Sequence, residues 1–218
     1  MSPRWRTDAL TVPAAATLGP SPVHTHGGIA YLRSADDAPR HLHLAWHHVL
    51  RDDEALPVRT GWVEPALSAA ALDDLAFAAE LVSRRAENQS VPYGLALDRA
   101  HVDDRGVVKL EGEAGLTCAT FVLIVFAKAG IPLLDRPTWD TDPDDARRAE
   151  DRVHQERLVQ HLRRTTGAEA HAERVANEVP CTRFRAEEVA AATALTPRPV
   201  PYASAETAGR TLLRCVHR

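Results

Sequence analysis

Cys118 is the residue of this sequence best placed to act as a nucleophile. It directly follows Thr117 at the predicted start of a helix, and a loop that contains Gly112 and Gly115 leads into it. A cysteine attacks as its thiolate, and both a helix N-terminus and a nearby imidazolium lower the pKa of a thiol. Free amides at the start of this helix, around Thr117 and Ala119, could also stabilise an oxyanion. The pattern predicts covalent thiol catalysis.

The other two cysteines, Cys181 and Cys215, share neither feature, and we expect them to be inert. Three cysteines are an odd number at wide spacing, which argues against a disulfide framework or a zinc ribbon. A buried cysteine is often only a small hydrophobic side chain. The catalytic interpretation of Cys118 therefore depends on a histidine that folds against it.

Four histidines in residues 41–48 provide candidates for that base. Alternation along a strand would place His41, His43 and His47 on one face and His48 on the other. The acidic and basic residues 51–54 would end this strand. A solvated polar sheet face is the alternative interpretation of the same pattern.

The elements that must position these residues can be predicted from periodicity and capping signals. Residues 28–33 and 41–50 read as a hairpin, with a third strand over 58–63. A helix is expected over 68–87 with Ser68 as its N-cap, and a second hairpin over 95–111. The helix 118–128, apolar on nearly every side, should lie buried in the centre of the fold, and Gly130 should end it.

The domain prediction has three parts. Residues 1–26 read as an irregular N-terminal arm, residues 27–135 as the catalytic core, and residues 136–218 as a charged helical extension packed on that core. Helices are expected in the extension over 143–165, 168–178, 185–195 and 203–216. The extension could also offer a surface to a protein partner.

Two segments resemble a known family. Residues 115–122 (GLTCATFV) resemble the cysteine helix of the circularly permuted NlpC-type papain-like enzymes, which include the lecithin-retinol-acyltransferase-like group. Residues 43–46 (HLAW) resemble their histidine strand, and the order of histidine before cysteine matches the permuted branch. The resemblance covers about residues 28–130. It implies an α+β, papain-like fold whose antiparallel sheet packs on a central helix that carries the cysteine.

The resemblance also implies which histidine is the base. In the family the base opens its strand, which His43 matches better than His47, with His41 less favoured. A third polar group commonly orients the imidazole; we predict Glu64, with Asp52 and His47 as alternatives and a simple Cys–His pair still open. The expected chemistry is acyl hydrolysis or transfer through a thioester, on a peptide, amide or lipid-ester substrate.

Charge, composition and the absence of known motifs argue against several other functions. The net charge of −4 gives no reason to expect nucleic acid as a partner. The N-terminus lacks an apolar run of signal-peptide length and the chain lacks a membrane-length one, so we expect a cytoplasmic, bacterial-type protein without an integral membrane segment. No nucleotide-binding or serine-hydrolase motif occurs, and we expect no cofactor.

Two other functions compete with the thiol enzyme. The histidines could instead bind a metal ion, although the sequence has neither HExxH nor CxxC; the candidates are His24, His26, His41, His43, His47 and His48. Alternatively, the chain could be an inactive papain-like interaction protein that binds partners through the charged helices at 143–178.

Overall fold

The computed structural model describes residues 3–20, 25–34, 37–95, 97–112 and 114–217. Its eight strands are β1 (Trp5–Arg6), β2 (Ala14–Pro20), β3 (Thr25–Tyr31), β4 (Arg40–Trp46), β5 (Val49–Asp53), β6 (Gly61–Val63), β7 (Ala100–Val102) and β8 (Val108–Leu110). Its seven α-helices are α1 (Ala69–Ser83), α2 (Cys118–Lys128), α3 (Arg136–Thr141), α4 (Asp145–Arg163), α5 (Glu169–Ala176), α6 (Ala186–Ala192) and α7 (Tyr202–Val216).

The fold is α+β, as predicted. Six antiparallel strands form one sheet in the order β1-β6-β2-β3-β4-β5, and β7 and β8 form a separate hairpin. Apolar side chains of β2, β3 and β4 share one core with the helices, α2 among them. A smaller cluster formed by Leu10, Ala15, Ala30 and Trp62 is separate from that core.

The N-terminal segment differs from the prediction of an irregular arm. Residues 14–20 form β2, an interior strand of the sheet, and Thr25 and His26 begin β3. Every residue of β2 except Pro20 is buried. A strand buried on both faces lacks the alternation of polar and apolar residues that marks a half-exposed strand. Small residues fill it here, so its sequence lacks that signal.

The predicted strand 41–50 is in fact two strands. β4 ends at Trp46, the chain reverses at His47 and His48, and β5 begins at Val49. His48 adopts a positive φ of 60°, a conformation that histidine tolerates in tight turns. The reversal places His43 opposite Arg51 and His41 opposite Asp53. The acidic residues expected to end the strand therefore lie beside the histidines.

Helices α1 and α2 begin as predicted. Ser68 caps α1 by accepting from the amide of Ala71, and Thr117 caps α2 by accepting from the amide of Thr120. Gly130 follows α2 with φ of +71°, as expected for a helix stop. Among the described residues, α3 is a helix that the sequence patterns did not indicate, because its six residues are too few to show a period.

The C-terminal segment is more deeply integrated than an appendage. All seven residues of α6 are buried, and this helix packs against β2, β3 and α2 as well as against α7. A buried ion-pair network joins α4 to α6: Arg147 forms a two-pronged contact with Glu188, at 2.5 and 2.9 Å, and also contacts Asp151. Within the described chain, no helix is both long and apolar enough to span a bilayer.

Candidate active site

Cys118 is the first residue of α2, and its side chain is 4% exposed. The capping pair of Thr117 and Thr120 fixes this end of the helix, because each side chain bonds the backbone amide of the other. α2 packs against β3 and β4, the two strands that carry His26 and His43. The sulfur is thus held on a rigid element beside the histidine-bearing strands.

His26, near the start of β3, is the imidazole that contacts the Cys118 thiol. Burial alone would raise the pKa of Cys118, but the hydrogen bond and charge of His26 lower it to about 7, with help from the Gly27 amide and the Tyr93 hydroxyl. Burial in turn lowers the pKa of His26, yet its interaction with the thiolate outweighs this and leaves that pKa raised. Both directions favour a thiolate–imidazolium pair.

A chain of hydrogen bonds continues from His26 to a carboxylate. His26 Nε2 lies 2.7 Å from His43 Nδ1, and His43 Nε2 lies 2.9 Å from Asp53 Oδ2. A carboxylate only accepts, so His43 donates from Nε2 and accepts at Nδ1. His26 must then donate from Nε2, which leaves its Nδ1 to take the proton of the thiol. The two outer residues therefore fix the tautomer of the base.

His41 packs against the hydrogen-bonded relay of His26, His43 and Asp53. Its ring stacks on His43 at a centroid distance of 4.4 Å, and its Nε2 lies 2.9 Å from Thr17 Oγ1. Burial lowers the pKa of His41 well below its usual value, and burial also lowers that of His43, although Asp53 opposes the shift. Gly28 leaves room for both rings, since a Cβ there would come within 2.4 Å of His41 Nε2.

Tyr93 also contacts Cys118. Its hydroxyl oxygen accepts from the Cys118 amide at 3.2 Å, and burial and the charge of Cys118 raise its pKa well above the usual value. The hydroxyl therefore keeps its proton and can donate. His47 Nδ1 accepts from the Tyr93 amide at 3.1 Å, and His171 Nε2 bonds the Tyr93 carbonyl at 2.8 Å. These two histidines position the tyrosine backbone.

A cavity of about 370 Å³ opens at the sulfur. Cys118, His26 and Tyr93 line it, and so does Ala119. The amide of Ala119, in the first turn of α2, has no partner within the helix. Other lining residues come from β4 and from the C-terminal segment, namely Ala45, Trp46, Gln155, Leu158, His161, Arg183, Phe184 and Ala186. The cavity can accommodate a ligand of moderate size against the Cys118 sulfur.

The structure brings together only part of the predicted site. Cys118, Thr117 and Ala119 lie at the head of α2 as expected, but the Thr117 amide is occupied by Thr120 Oγ1 at 2.8 Å. His43, predicted as the base, contacts His26, and it is His26 that contacts the sulfur. The sequence patterns indicate His26 only as a possible metal ligand, because they predict no strand in residues 1–26.

Glu64 and His47 do not reach the sulfur. Glu64 follows β6, where its carboxylate lies 3.6 Å from the Arg6 guanidinium. His47 lies in the β4–β5 turn and supports Tyr93. Asp52, the other alternative, pairs with Arg40 at 2.7 Å, whereas the neighbouring Asp53 bonds His43. Reading the 47–48 reversal from the sequence would have identified Asp53.

One group of side chains within the described residues could offer ligands to a metal ion. Ligand atoms of His41, His43 and Asp53 lie within 4.8 Å of one another. However, the rings of His41 and His43 are nearly parallel, at 13°, and both nitrogens of His43 already have partners. In-plane lone pairs of two parallel stacked rings do not converge on one ion. The geometry favours a hydrogen-bond relay. His24, another predicted ligand, lies outside the described residues.

Comparison of the chain with models of protein families, with curated proteins and with solved structures found no match.

The relay predicts a role for Asp53 that can be measured. Asparagine at this position can donate to His43 Nε2, which would reverse the tautomers of both imidazoles and protonate His26 Nδ1. We expect Asp53→Asn to slow alkylation of Cys118 at pH 7 by roughly tenfold to a hundredfold, less than the about 10⁴-fold cost of a wrong tautomer at a directly oriented base in a protease. The pH–rate profile of iodoacetamide labelling measures this.

Glu54→Gln is the matched control for that variant. Glu54 is the next residue along the chain and its side chain is 92% exposed. If Glu54→Gln slowed alkylation as much as Asp53→Asn, the effect would come from the loss of a negative charge near the site and not from the hydrogen bond to His43.

Proposed function

We propose that this protein is a thiol-dependent acyl hydrolase or acyltransferase in which Cys118 is the nucleophile and His26 the base. The observation that carries the proposal is the lowered pKa of Cys118, about 7, at the floor of an open cavity and in contact with an oriented imidazole. An inert buried cysteine would have a raised pKa, as Cys181 does: burial raises it to about 11.

The arrangement suits a two-step reaction. His26 Nδ1 takes the thiol proton, the sulfur attacks an acyl carbon, and the carbonyl oxygen becomes an oxyanion. The Tyr93 hydroxyl and the Ala119 amide are the donors within reach of that oxygen. The tetrahedral intermediate expels an amine or alcohol, which leaves with the proton from His26, and a thioester remains on Cys118.

The second step regenerates the enzyme. His26 removes a proton from water or from an acceptor nucleophile, which attacks the thioester carbon and displaces the Cys118 thiolate. His43 and Asp53 hold His26 in the required tautomer in both steps and do not contact the acyl group. The circularly permuted NlpC-type papain-like enzymes, which the sequence resembles, have the same order of histidine before cysteine, and this adds support to the proposal.

The test is formation of an acyl-enzyme. With 4-nitrophenyl acetate, we expect an equimolar burst of 4-nitrophenol and an acetyl group on the peptide that contains Cys118, detected by mass spectrometry. Iodoacetamide labelling of the same residue should follow a titration with a midpoint near 7, against about 8.5 for an ordinary thiol. Labelling rises with pH because the reactive species is the deprotonated form.

Alanine variants of the three cysteines separate the nucleophile from the other thiols. Cys118→Ala should abolish both the burst and the low-pH labelling, whereas Cys181→Ala and Cys215→Ala should retain them. A burst that survives in Cys118→Ala, or a labelling midpoint at or above that of a free thiol, would contradict the proposed function.

A further inference from the structure

The part of the cavity wall that comes from the C-terminal segment carries positive charge. Arg157 of α4 and Arg183, just before α6, line it, beside the neutral ring of His154. Within the part of the chain that the structure describes, neither an aspartate nor a glutamate lines the cavity. A small-molecule site with cationic groups on one side and no acid selects for negative charge.

The arginines of this wall are only partly neutralised. Asp151 is shared by three guanidinium groups, those of Arg147, Arg183 and Arg185, at 2.6 to 3.0 Å. Arg157, in contrast, is exposed and forms an ion pair with none of the described carboxylates. A guanidinium without a carboxylate partner at the edge of a cavity is available to a ligand.

The positive charge of these arginines also affects the pKa of His154. Burial lowers its pKa, and the charges of Arg183, Arg185 and Arg157 lower it further, against the opposing effect of Glu150. The histidine thus remains neutral beside the arginines and can act as a hydrogen-bond donor or acceptor.

The cavity is also partly apolar. Trp46, Leu95, Leu158 and Phe184 line it, and the His161 ring packs edge-on against Trp46 at 4.6 Å between centroids. A ligand would therefore meet both apolar side chains and guanidinium groups.

We propose that the substrate is a carboxylate-bearing amide or ester, whose carboxylate binds at Arg157 and Arg183 while its apolar part packs against Trp46 and Phe184. This inference rests on the proposed function, because it assumes that Cys118 reacts with what the cavity binds. Residues of α4 and of the segment before α6 would then determine which substrate binds. The C-terminal third of the chain is then part of the site.

A pair of alkylating reagents of equal size tests the inference. Iodoacetate and iodoacetamide differ only in a carboxylate against a carboxamide, so the ratio of their rates at Cys118 measures selection for negative charge. We expect Arg157→Gln to lower the ratio of iodoacetate to iodoacetamide by roughly threefold and Arg157→Glu by roughly tenfold. The effect should shrink as ionic strength rises. His26 contributes equally in all variants, so it does not affect the comparison.

Arg152→Gln is the matched control. Arg152 lies on the same helix, pairs with Glu156 at 2.9 Å and does not line this cavity. A ratio that is the same in Arg157→Glu as in Arg152→Gln would overturn the substrate class while rapid iodoacetamide labelling still supported the thiol enzyme. Failure of Cys118 to react with either reagent would instead overturn the proposed function, and this inference with it.

Discussion

Replacing His26 by glutamine is expected to slow the alkylation of Cys118 at pH 7 by about a hundredfold. Glutamine can form hydrogen bonds but cannot carry the positive charge that lowers the thiol pKa. Without that charge burial outweighs the smaller effects of the Gly27 amide and the Tyr93 hydroxyl, and the pKa of Cys118 should rise towards that of Cys181, which burial raises to about 11. The measurement is the rate of iodoacetamide labelling between pH 5 and 10, resolved by peptide.

The magnitude follows from two opposing effects. A rise in pKa from about 7 to about 11 reduces the thiolate fraction at pH 7 from about one half to about 10⁻⁴. A more basic thiolate is intrinsically more nucleophilic, with a Brønsted coefficient of about 0.4–0.5, which recovers roughly half of the loss on a logarithmic scale. A net loss of about a hundredfold remains.

Two further variants decide between the candidate bases. His43→Gln should move the midpoint of the titration less than His26→Gln, because His43 acts on the sulfur only through His26. His101→Gln, at an exposed histidine on β7, should leave the profile as in the wild type. If His43→Gln raised the midpoint and His26→Gln did not, the base would be His43, as the sequence alone predicted.

Replacing Arg147 by methionine is expected to produce the largest loss of stability. Its guanidinium is 6% exposed and forms ion pairs with Asp151 and Glu188, whose side chains are 10% and 3% exposed. Asp151 would keep Arg183 and Arg185, but Glu188 would lose its guanidinium partner, and a buried charge left without compensation costs about 3–5 kcal/mol of unfolding free energy. For a chain of this size that corresponds to roughly 6–20 °C in the melting temperature, measured by calorimetry.

Arg152→Met is the control for this second prediction. It removes the same side chain from the same helix, but the Arg152–Glu156 pair is exposed and such pairs contribute roughly 0.2–1 kcal/mol. The double variant Arg147→Met/Glu188→Gln should regain part of the stability, since it removes one stranded charge. Equal effects of Arg147→Met and Arg152→Met would show that the network does not anchor α4 to α6.

Helix α2, which carries Cys118, was predictable because all its signals are local. Thr117 as a cap, an uninterrupted apolar run and Gly130 as a stop occur within fourteen consecutive positions, and each reflects a rule of helix geometry. The strand over residues 28–33 was predictable for the same reason. These local signals do not predict which residue of another element lies opposite the sulfur.

Two parts of the site, the position of His26 beside the sulfur and that of Asp53 beside His43, could not be predicted from the sequence. β2 is buried on both faces and is built largely of small residues, so it shows no period, and the segment that ends in His26 read as irregular. The relay carboxylate was missed because the reversal at residues 47–48 contains no glycine or proline; histidine itself adopts the positive φ. Pairing across the sheet, which sets Asp53 beside His43, depends on that reversal.

The two-residue turn between β4 and β5 makes the site sensitive to chain length. Adjacent side chains of a strand alternate between faces, so a shift of one residue exchanges every inward and outward position beyond it. An insertion or deletion of one residue between Trp46 and Val49 would exchange the two faces of β5. Asp52 would then take the place of Asp53, or Leu50 would become exposed, while the composition of the chain would hardly change. Two chains that differ by a single-residue insertion in this hairpin would therefore differ in whether a carboxylate meets His43.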